Sequence, residues 1–244
     1  MGPQLRVLES PDAVTRTAAQ WVHDRAWAAV NARRQFTLAL SGGNTPRALY
    51  RQMAAGPRLP WDRTAFCFGD ERNVPPDSPE SNFRMAREAL IDQPFVNQSS
   101  VYRIKGELPA DEAAADYEQT LRKLFPTATT FPGFDLVLLG LGPDGHTASL
   151  FPRSPALAEL KRWVSGNWVE KFKTHRITLT YPVLNAAAEV LFLVVGEDKA
   201  WALRNVLRGS APVEEIPARG IAPTSGRLTF LVDRAAAAGL GQTA

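Results

Sequence analysis

The chain has 244 residues, 45% of them hydrophobic and 22% charged, a balance that excludes a largely disordered protein. Lys and Arg exceed Asp and Glu by 28 to 25 and are scattered, so the net charge of +3 suits a small anionic ligand and argues weakly for nucleic acid. A single cysteine excludes an intrachain disulfide, and no apolar run approaches the roughly 20 residues of a membrane span. Because the amino terminus also lacks a signal-peptide apolar region, we expect a cytoplasmic protein.

The first 55 residues predict a helix, a strand and a second helix. Ser10 and Pro11 have the pattern of an N-cap and a first-turn proline, ahead of a helix from residue 12 to about 33. The compact strand FTLALS follows, and after the turn GGNT a helix begins at Pro46. These segments form a strand, Gly-rich turn and helix unit.

The middle of the chain continues the alternation. TAFCFGDE, residues 64–71, predicts a strand that ends in carboxylates, and a helix begins near Asn82. A short strand is predicted at VYRI, and residues 111–124 have the periodicity of an amphipathic helix. FDLVLLG is apolar on consecutive positions, as expected for a strand that is covered on both faces.

The last third adds more strands and helices. Strands are predicted at WVSGNWV, RITLTYP, VLFLVV and LTFLVD, and helices at about 184–188, 197–208 and 233–239. Alternating strands and helices predict an α/β protein with a doubly wound, mainly parallel sheet flanked by helices. No long linker interrupts the chain, so we expect a single domain over residues 1–244.

The turn SGGNTP has the features of an anion site. Gly42 and Gly43 allow a sharp turn close to a ligand, and Thr45 is predicted to cap the helix that begins at Pro46. The alternative is an ordinary strand-to-helix turn in which glycine is present only for steric reasons. The segment matches neither a Walker loop nor a GxGxxG dinucleotide motif.

The segment GDERN places charged side chains at the end of a strand. Asp70 could bind sugar hydroxyls, and Arg72 could bind an anion. A solvated cluster of charges at a strand end is the alternative interpretation.

The segment GLGPDGH carries the strongest candidate for catalysis. Its three glycines have the spacing of GxGxxG, but a dinucleotide motif requires a helix to begin within it. Pro143 and the histidine do not suit a helix start, so we reject a nicotinamide cofactor. Asp144 lies two residues before His146, where its carboxylate could orient the imidazole or contact substrate. His146 follows a buried strand, and ligands of open α/β sheets bind at the carboxyl ends of strands.

Other patterns limit the chemistry. Three dispersed histidines and one cysteine have no metal-ligand spacing, and the absence of GxSxG disfavours covalent serine hydrolysis. Arg176 and Lys199 lie beside strand ends, where each is either solvated or directed at the same ligand.

Taken in order, SGGNTP, GDERNVPPDSPESNF, FDLVLLGLGPDGHTASLFP, HRITLT and VVGEDKAWAL closely resemble the 6-phosphogluconolactonase family, over residues 10–235. The resemblance implies hydrolysis of 6-phosphoglucono-1,5-lactone to 6-phosphogluconate, the second step of the oxidative pentose phosphate pathway, without a cofactor or metal. It also implies kinship with glucosamine-6-phosphate deaminases, which have a Rossmann-like sheet.

The resemblance also assigns roles to residues. By motif, His146 is the general base with Asp144 beside it, and the cleft is lined by Asp70 and Arg72. The implied sugar-phosphate site consists of Gly42, Gly43, Asn44, Thr45, Arg176 and Lys199. The expected partner is a small sugar-phosphate lactone bound by a monomer or weak homo-oligomer, with no nucleic acid or membrane partner.

Two other functions remain open. A glucosamine-6-phosphate deaminase/isomerase would need a second carboxylate near the histidine, and TASLFP after His146 supplies none. A sugar-phosphate-sensing regulatory domain would bind without turnover, but such domains usually accompany a DNA-binding module, for which we see no room before Pro11.

Overall fold

The computed structural model describes residues 2–56 and 58–241, which contain nine strands and seven helices besides short 3₁₀ and π turns. The strands are β1 Gln4–Leu8, β2 Phe36–Leu40, β3 Thr64–Phe68, β4 Asp70–Arg72, β5 Leu136–Gly140, β6 Val164–Val169, β7 Thr174–Leu179, β8 Glu189–Val194 and β9 Arg227–Asp233. The helices are α1 Pro11–Arg33, α2 Asn44–Ala55, α3 Asn82–Ala86, α4 Ala110–Leu124, α5 Tyr181–Asn185, α6 Ala200–Arg208 and α7 Arg234–Ala237.

The larger sheet has six strands in the order β1-β9-β8-β5-β2-β3, and all of its neighbouring pairs are parallel. Every residue of β2, β3 and β8 is buried, because helices cover both faces of the sheet. This architecture confirms the predicted fold class. None of the helices in the described residues combines the length and hydropathy that a membrane crossing needs.

A second sheet of three antiparallel strands, β4-β7-β6, contains two of the predicted strands, WVSGNWV and RITLTYP. The predicted strand 64–71 passes from one sheet to the other at Gly69. The Gly69 amide donates to the Leu40 carbonyl in the larger sheet, and the Gly69 carbonyl accepts from the Leu179 amide in the smaller one. Backbone pairing over these few residues therefore holds the two sheets side by side.

Some local predictions are confirmed and others are wrong. Helix α1 begins where expected, and Ser10 Oγ accepts from the Ala13 amide at 3.2 Å. The VYRI segment is not a strand, because Val101 makes only an isolated bridge to Phe66. The helix expected at 184–188 begins three residues earlier, with Pro182 in its first turn. Strand β1 was not predicted, since it lies mostly exposed at an edge of the sheet.

The strand order creates a crevice between β2 and β5. From β2 the chain crosses to β3 on one side, whereas after β5 it returns to the larger sheet at β8 on the other side. Loops that leave the carboxyl ends of two such strands diverge, and ligands of open α/β sheets bind in the gap. The Gly-rich turn after β2 and the histidine loop after β5 both begin there.

Candidate active site

A cavity of about 220 Å³ opens at this crevice and brings together six of the ten predicted site residues. They are Gly42, Gly43, Asp70, Arg72, His146 and Lys199. The predicted residues that do not line it are Asn44, Thr45, Asp144 and Arg176. Other surface cavities reach about 500 Å³ but contain none of the ten residues. The candidate site is therefore identified by the residues that line this cavity and by its place at the crevice, and not by its volume.

His146 is held by an aspartate on one edge and an aromatic ring on one face. Its Nδ1 lies 2.5 Å from Asp144 Oδ1, and Phe151 stacks on the imidazole with ring centroids 4.1 Å apart. Burial raises the pKa of Asp144, but the hydrogen bond and charge of His146 and a hydrogen bond from Lys171 hold that pKa well below its usual range. Asp144 is therefore a carboxylate at neutral pH, and it favours a proton on Nδ1 of His146.

The loop that carries His146 is tight because Gly142 has no side chain. The Gly142 amide donates to the His146 carbonyl at 2.8 Å, and a Cβ on Gly142 would overlap the imidazole. A Cβ on Gly140, in contrast, would meet open space. Gly142 thus leaves space for the imidazole of His146. In a dinucleotide motif, by contrast, the corresponding glycine lets the backbone approach a pyrophosphate.

The turn after β2 differs from the prediction in its cap. Helix α2 begins at Asn44, its N-cap is Gly43 with φ +108°, and no side chain caps it, so the predicted Thr45 cap is wrong. Glycine adopts this backbone conformation readily, whereas other residues rarely do. The first helical hydrogen bond runs from the Arg47 amide to the Gly43 carbonyl, so the amides of Asn44 and Thr45 lack an intrahelical acceptor. These amides suit an anion next to the cavity.

Asp70 anchors a hydrogen-bonded group on the cavity wall that sequence reasoning did not find. Ser149 Oγ donates to Asp70 Oδ2 at 2.6 Å, and Asn82 Nδ2 donates to Asp70 Oδ1 at 3.2 Å. With its nitrogen turned to Asp70, Asn82 keeps a buried Oδ1 that has no protein partner, and Asn82 lines the cavity. Ser41 Oγ is likewise buried and unpartnered in the cavity wall.

Glu71, next to Asp70, supports the structure. Its carboxylate accepts from the backbone amides of Arg72, Asn82 and Phe83 and from Ser81 Oγ. Burial raises the pKa of Glu71 against these hydrogen bonds. The carboxylate ties the start of α3, and with it Asn82, to β4.

Three basic residues lie in or near the site, and two of them line the cavity. Lys199 reaches the cavity while pairing with Asp198 at 2.8 Å, and Arg72 lines the cavity while donating to the Glu80 carbonyl. Arg176 lies directly opposite Arg72 in the β4–β7 pair, outside the cavity lining. Burial, followed by the charge of Arg72, lowers the pKa of Arg176.

The profile of the family described as glucosamine-6-phosphate isomerases/6-phosphogluconolactonase matches residues 9–230. The chain belongs to this family. It is 42% identical to a 6-phosphogluconolactonase of Synechocystis over 97% of this chain and 98% of the relative, and 39% identical to a human 6-phosphogluconolactonase over 96% and 92%. The structure of a 6-phosphogluconolactonase from Trypanosoma cruzi superposes with a TM-score of 0.88 at 31% identity, over 99% of this chain and 98% of that one. The resemblance found in the motifs is confirmed, and with it the assignment to a family of enzymes.

Proposed function

We propose that the protein hydrolyses 6-phosphoglucono-1,5-lactone to 6-phosphogluconate, as the second step of the oxidative pentose phosphate pathway. The observation that carries the proposal is the His146–Asp144 pair, joined at 2.5 Å, with His146 in a cavity that Lys199 also lines. The names of relatives that match nearly the whole chain support the same reaction. A lactone carbonyl is already electrophilic, so an activated water suffices.

His146 is the proposed general base. With Nδ1 engaged by Asp144, Nε2 is the nitrogen left to take a proton from water as the water attacks C1. Asp144 stabilises the imidazolium that forms, and the imidazolium then returns the proton to the departing ring oxygen. General acid–base help of this kind contributes about 10² to 10⁴ in rate.

The phosphate and the carbonyl oxygen need separate partners. For the phosphate we propose the turn Gly42–Thr45, with Lys199 in direct contact and Arg176 adding charge from the strand beside Arg72. Held at a distance from the reacting carbon, the phosphate fixes the lactone in place. Negative charge on the carbonyl oxygen is met by backbone amides of the Gly-rich turns or by a nearby cation.

Sugar hydroxyls complete the proposed complex. Asn82 Oδ1 and Ser41 Oγ are buried in the cavity wall without protein partners, and an unsatisfied buried polar group costs about 1–3 kcal/mol. Neither atom is exposed to solvent, so a hydroxyl-rich ligand satisfies these groups by displacing the wall that covers them, and an apolar ligand cannot satisfy them. Asp70, already fixed by Ser149 and Asn82, presents a carboxylate to the same hydroxyls.

The test is a hydrolysis assay on freshly generated 6-phosphogluconolactone, with spontaneous hydrolysis subtracted. We expect enzymatic turnover, and a much higher KM for unphosphorylated gluconolactone. Glucosamine 6-phosphate is assayed in parallel because Asp70 places a carboxylate on the cavity wall. Ammonia release from it would favour a deaminase, and tight binding of 6-phosphogluconate without lactone hydrolysis would favour a regulatory domain.

A further inference from the structure

Lys171 lies outside the cavity, in the turn that joins β6 to β7, yet it contacts the proposed catalytic pair. Residues Glu170–Phe172 form a single 3₁₀ turn between the two strands. Lys171 Nζ is 2.8 Å from Asp144 Oδ2, the oxygen that His146 leaves free. Each oxygen of Asp144 is therefore bound by a different part of the fold, one by the histidine loop and one by the antiparallel sheet.

The next residue of the same turn reaches the imidazole by a second route. The ring of Phe172 meets Phe151 edge to face, with centroids 5.7 Å apart at 85°. Phe151 in turn stacks on His146. One turn of the antiparallel sheet thus supports the histidine through both its hydrogen-bonding edge and its face.

We propose that Lys171 is a positioning residue for His146, an inference that rests on the proposed function. Without Lys171, Asp144 would be held through Oδ1 alone, by Nδ1 of His146 and by a long contact from the His146 amide at 3.4 Å. Its free Oδ2 would then let the carboxylate rotate about the Cβ–Cγ bond and hold the imidazole less well. With Lys171 on Oδ2, Oδ1 stays directed at Nδ1 and Nε2 stays directed at substrate. Groups that hydrogen-bond to the partner of a functional histidine help to fix its tautomer and ring orientation. In metal sites, removing such a group lowers metal affinity or activity by about 10- to 100-fold.

The expected effect lies at the low end of that range. The Lys171 side chain is 51% exposed, so water competes for the ammonium and can in part replace it on Asp144. A role in positioning lowers kcat, because the base is misaligned in the transition state. A direct contact with substrate would instead raise KM.

The experiment compares three variants of the full chain. Lys171→Met removes the charge and Lys171→Arg keeps it, while Lys173→Met removes a charge from the same turn that pairs with Glu170 and not with Asp144. With 6-phosphogluconolactone, we expect Lys171→Met to lower kcat about tenfold with KM within twofold. Lys171→Arg should keep most of the activity, and Lys173→Met all of it. Unchanged kcat in Lys171→Met, or a rise in KM alone, would overturn the proposal.

A second readout does not depend on turnover. The proton between Nδ1 of His146 and Asp144 should give a downfield resonance in the proton NMR spectrum, assigned by its loss in His146→Ala. We expect Lys171→Met to broaden or shift this resonance and Lys173→Met to leave it in place. If the wild type fails to hydrolyse the lactone, the proposed function is wrong, while this resonance still decides whether Lys171 positions His146. A resonance unchanged in Lys171→Met would refute the positioning role.

Discussion

Glu189, at the amino end of the parallel sheet, is a buried group with partners in the protein, whereas two buried groups at the carboxyl end, on Ser41 and Asn82, have none. At the amino end, Glu189 is 2% exposed, accepts from Trp21 Nε1 at 3.0 Å and pairs with Arg25 and Arg227 at 2.8 and 3.2 Å. At the carboxyl end, Ser41 Oγ and Asn82 Oδ1 are buried without protein partners. Matched groups stabilise the folded chain, whereas for the unmatched groups we propose partners on a bound ligand. Changes at the amino end should therefore affect stability, and changes at the carboxyl end should affect turnover.

The largest expected effect is at the carboxyl end. His146→Ala should lower kcat by about 10²- to 10⁴-fold, because it removes the proposed base. The free energy of unfolding should fall by less than a core truncation costs, because the imidazole is partly exposed, and the part that is lost comes from its stacking on Phe151 and its hydrogen bond to Asp144. Lactone hydrolysis corrected for the spontaneous rate measures the loss. Turnover close to that of the wild type would refute the general-base role.

At the amino end, Glu189→Gln should lower the free energy of unfolding by about 3 kcal/mol with kcat unchanged. Breaking a buried ion pair costs about 3–5 kcal/mol, and the lower value applies because the arginines that lose their partner, Arg25 and Arg227, are about a third and half exposed and can turn to water. Urea denaturation measures the loss. Glu170→Gln, which removes an exposed partner of Lys173, is the control and should leave stability nearly unchanged. Equal stabilities of the two variants would contradict the matched-charge interpretation of Glu189.

Two glycines of one motif test whether the histidine loop is built around the imidazole. Gly142→Ala should displace His146 and lower kcat by about 10- to 100-fold, because its Cβ would overlap the ring. Gly140→Ala adds a Cβ that meets no protein atom and should leave kcat near that of the wild type, while KM can rise because Gly140 lines the cavity. Kinetics of the two variants with the same substrate make the comparison. A similar loss in both would mean that backbone flexibility, not space for the imidazole, is what the loop needs.

Smaller effects are expected from the cations. Lys199→Ala should raise KM for the phosphorylated lactone about tenfold, since a hydrogen bond to a charged group contributes about 1.5–3 kcal/mol and Lys199 also pairs with Asp198. Arg176→Ala should raise KM less, because Arg176 lies outside the cavity lining. Neither variant should alter KM for unphosphorylated gluconolactone. A larger effect of Arg176 than of Lys199 would reverse their proposed roles.

The parallel sheet and the two loops at its carboxyl edge could be predicted from the sequence alone. Strands covered on both faces are apolar at consecutive positions, so β2, β3, β5 and β8 could be predicted without any knowledge of their neighbours. The Gly-rich turn and the loop of Asp144 and His146 follow such strands directly, which places them at the carboxyl edge of the sheet. These features depend on short-range patterns, and a local pattern is what a single sequence shows.

Which side chains meet at that edge could not be predicted, because they come from distant parts of the chain. Asn82 lies 12 residues from Asp70, Lys171 lies 27 residues from Asp144, and Ser149 lies 79 residues from Asp70. The antiparallel sheet that carries Lys171 depends on pairing through Gly69, and the edge strand β1 has no continuous apolar run to reveal it. Contacts between distant segments depend on how the elements pack, because side-chain neighbours are set by sheet order and crossover and not by local residue preference.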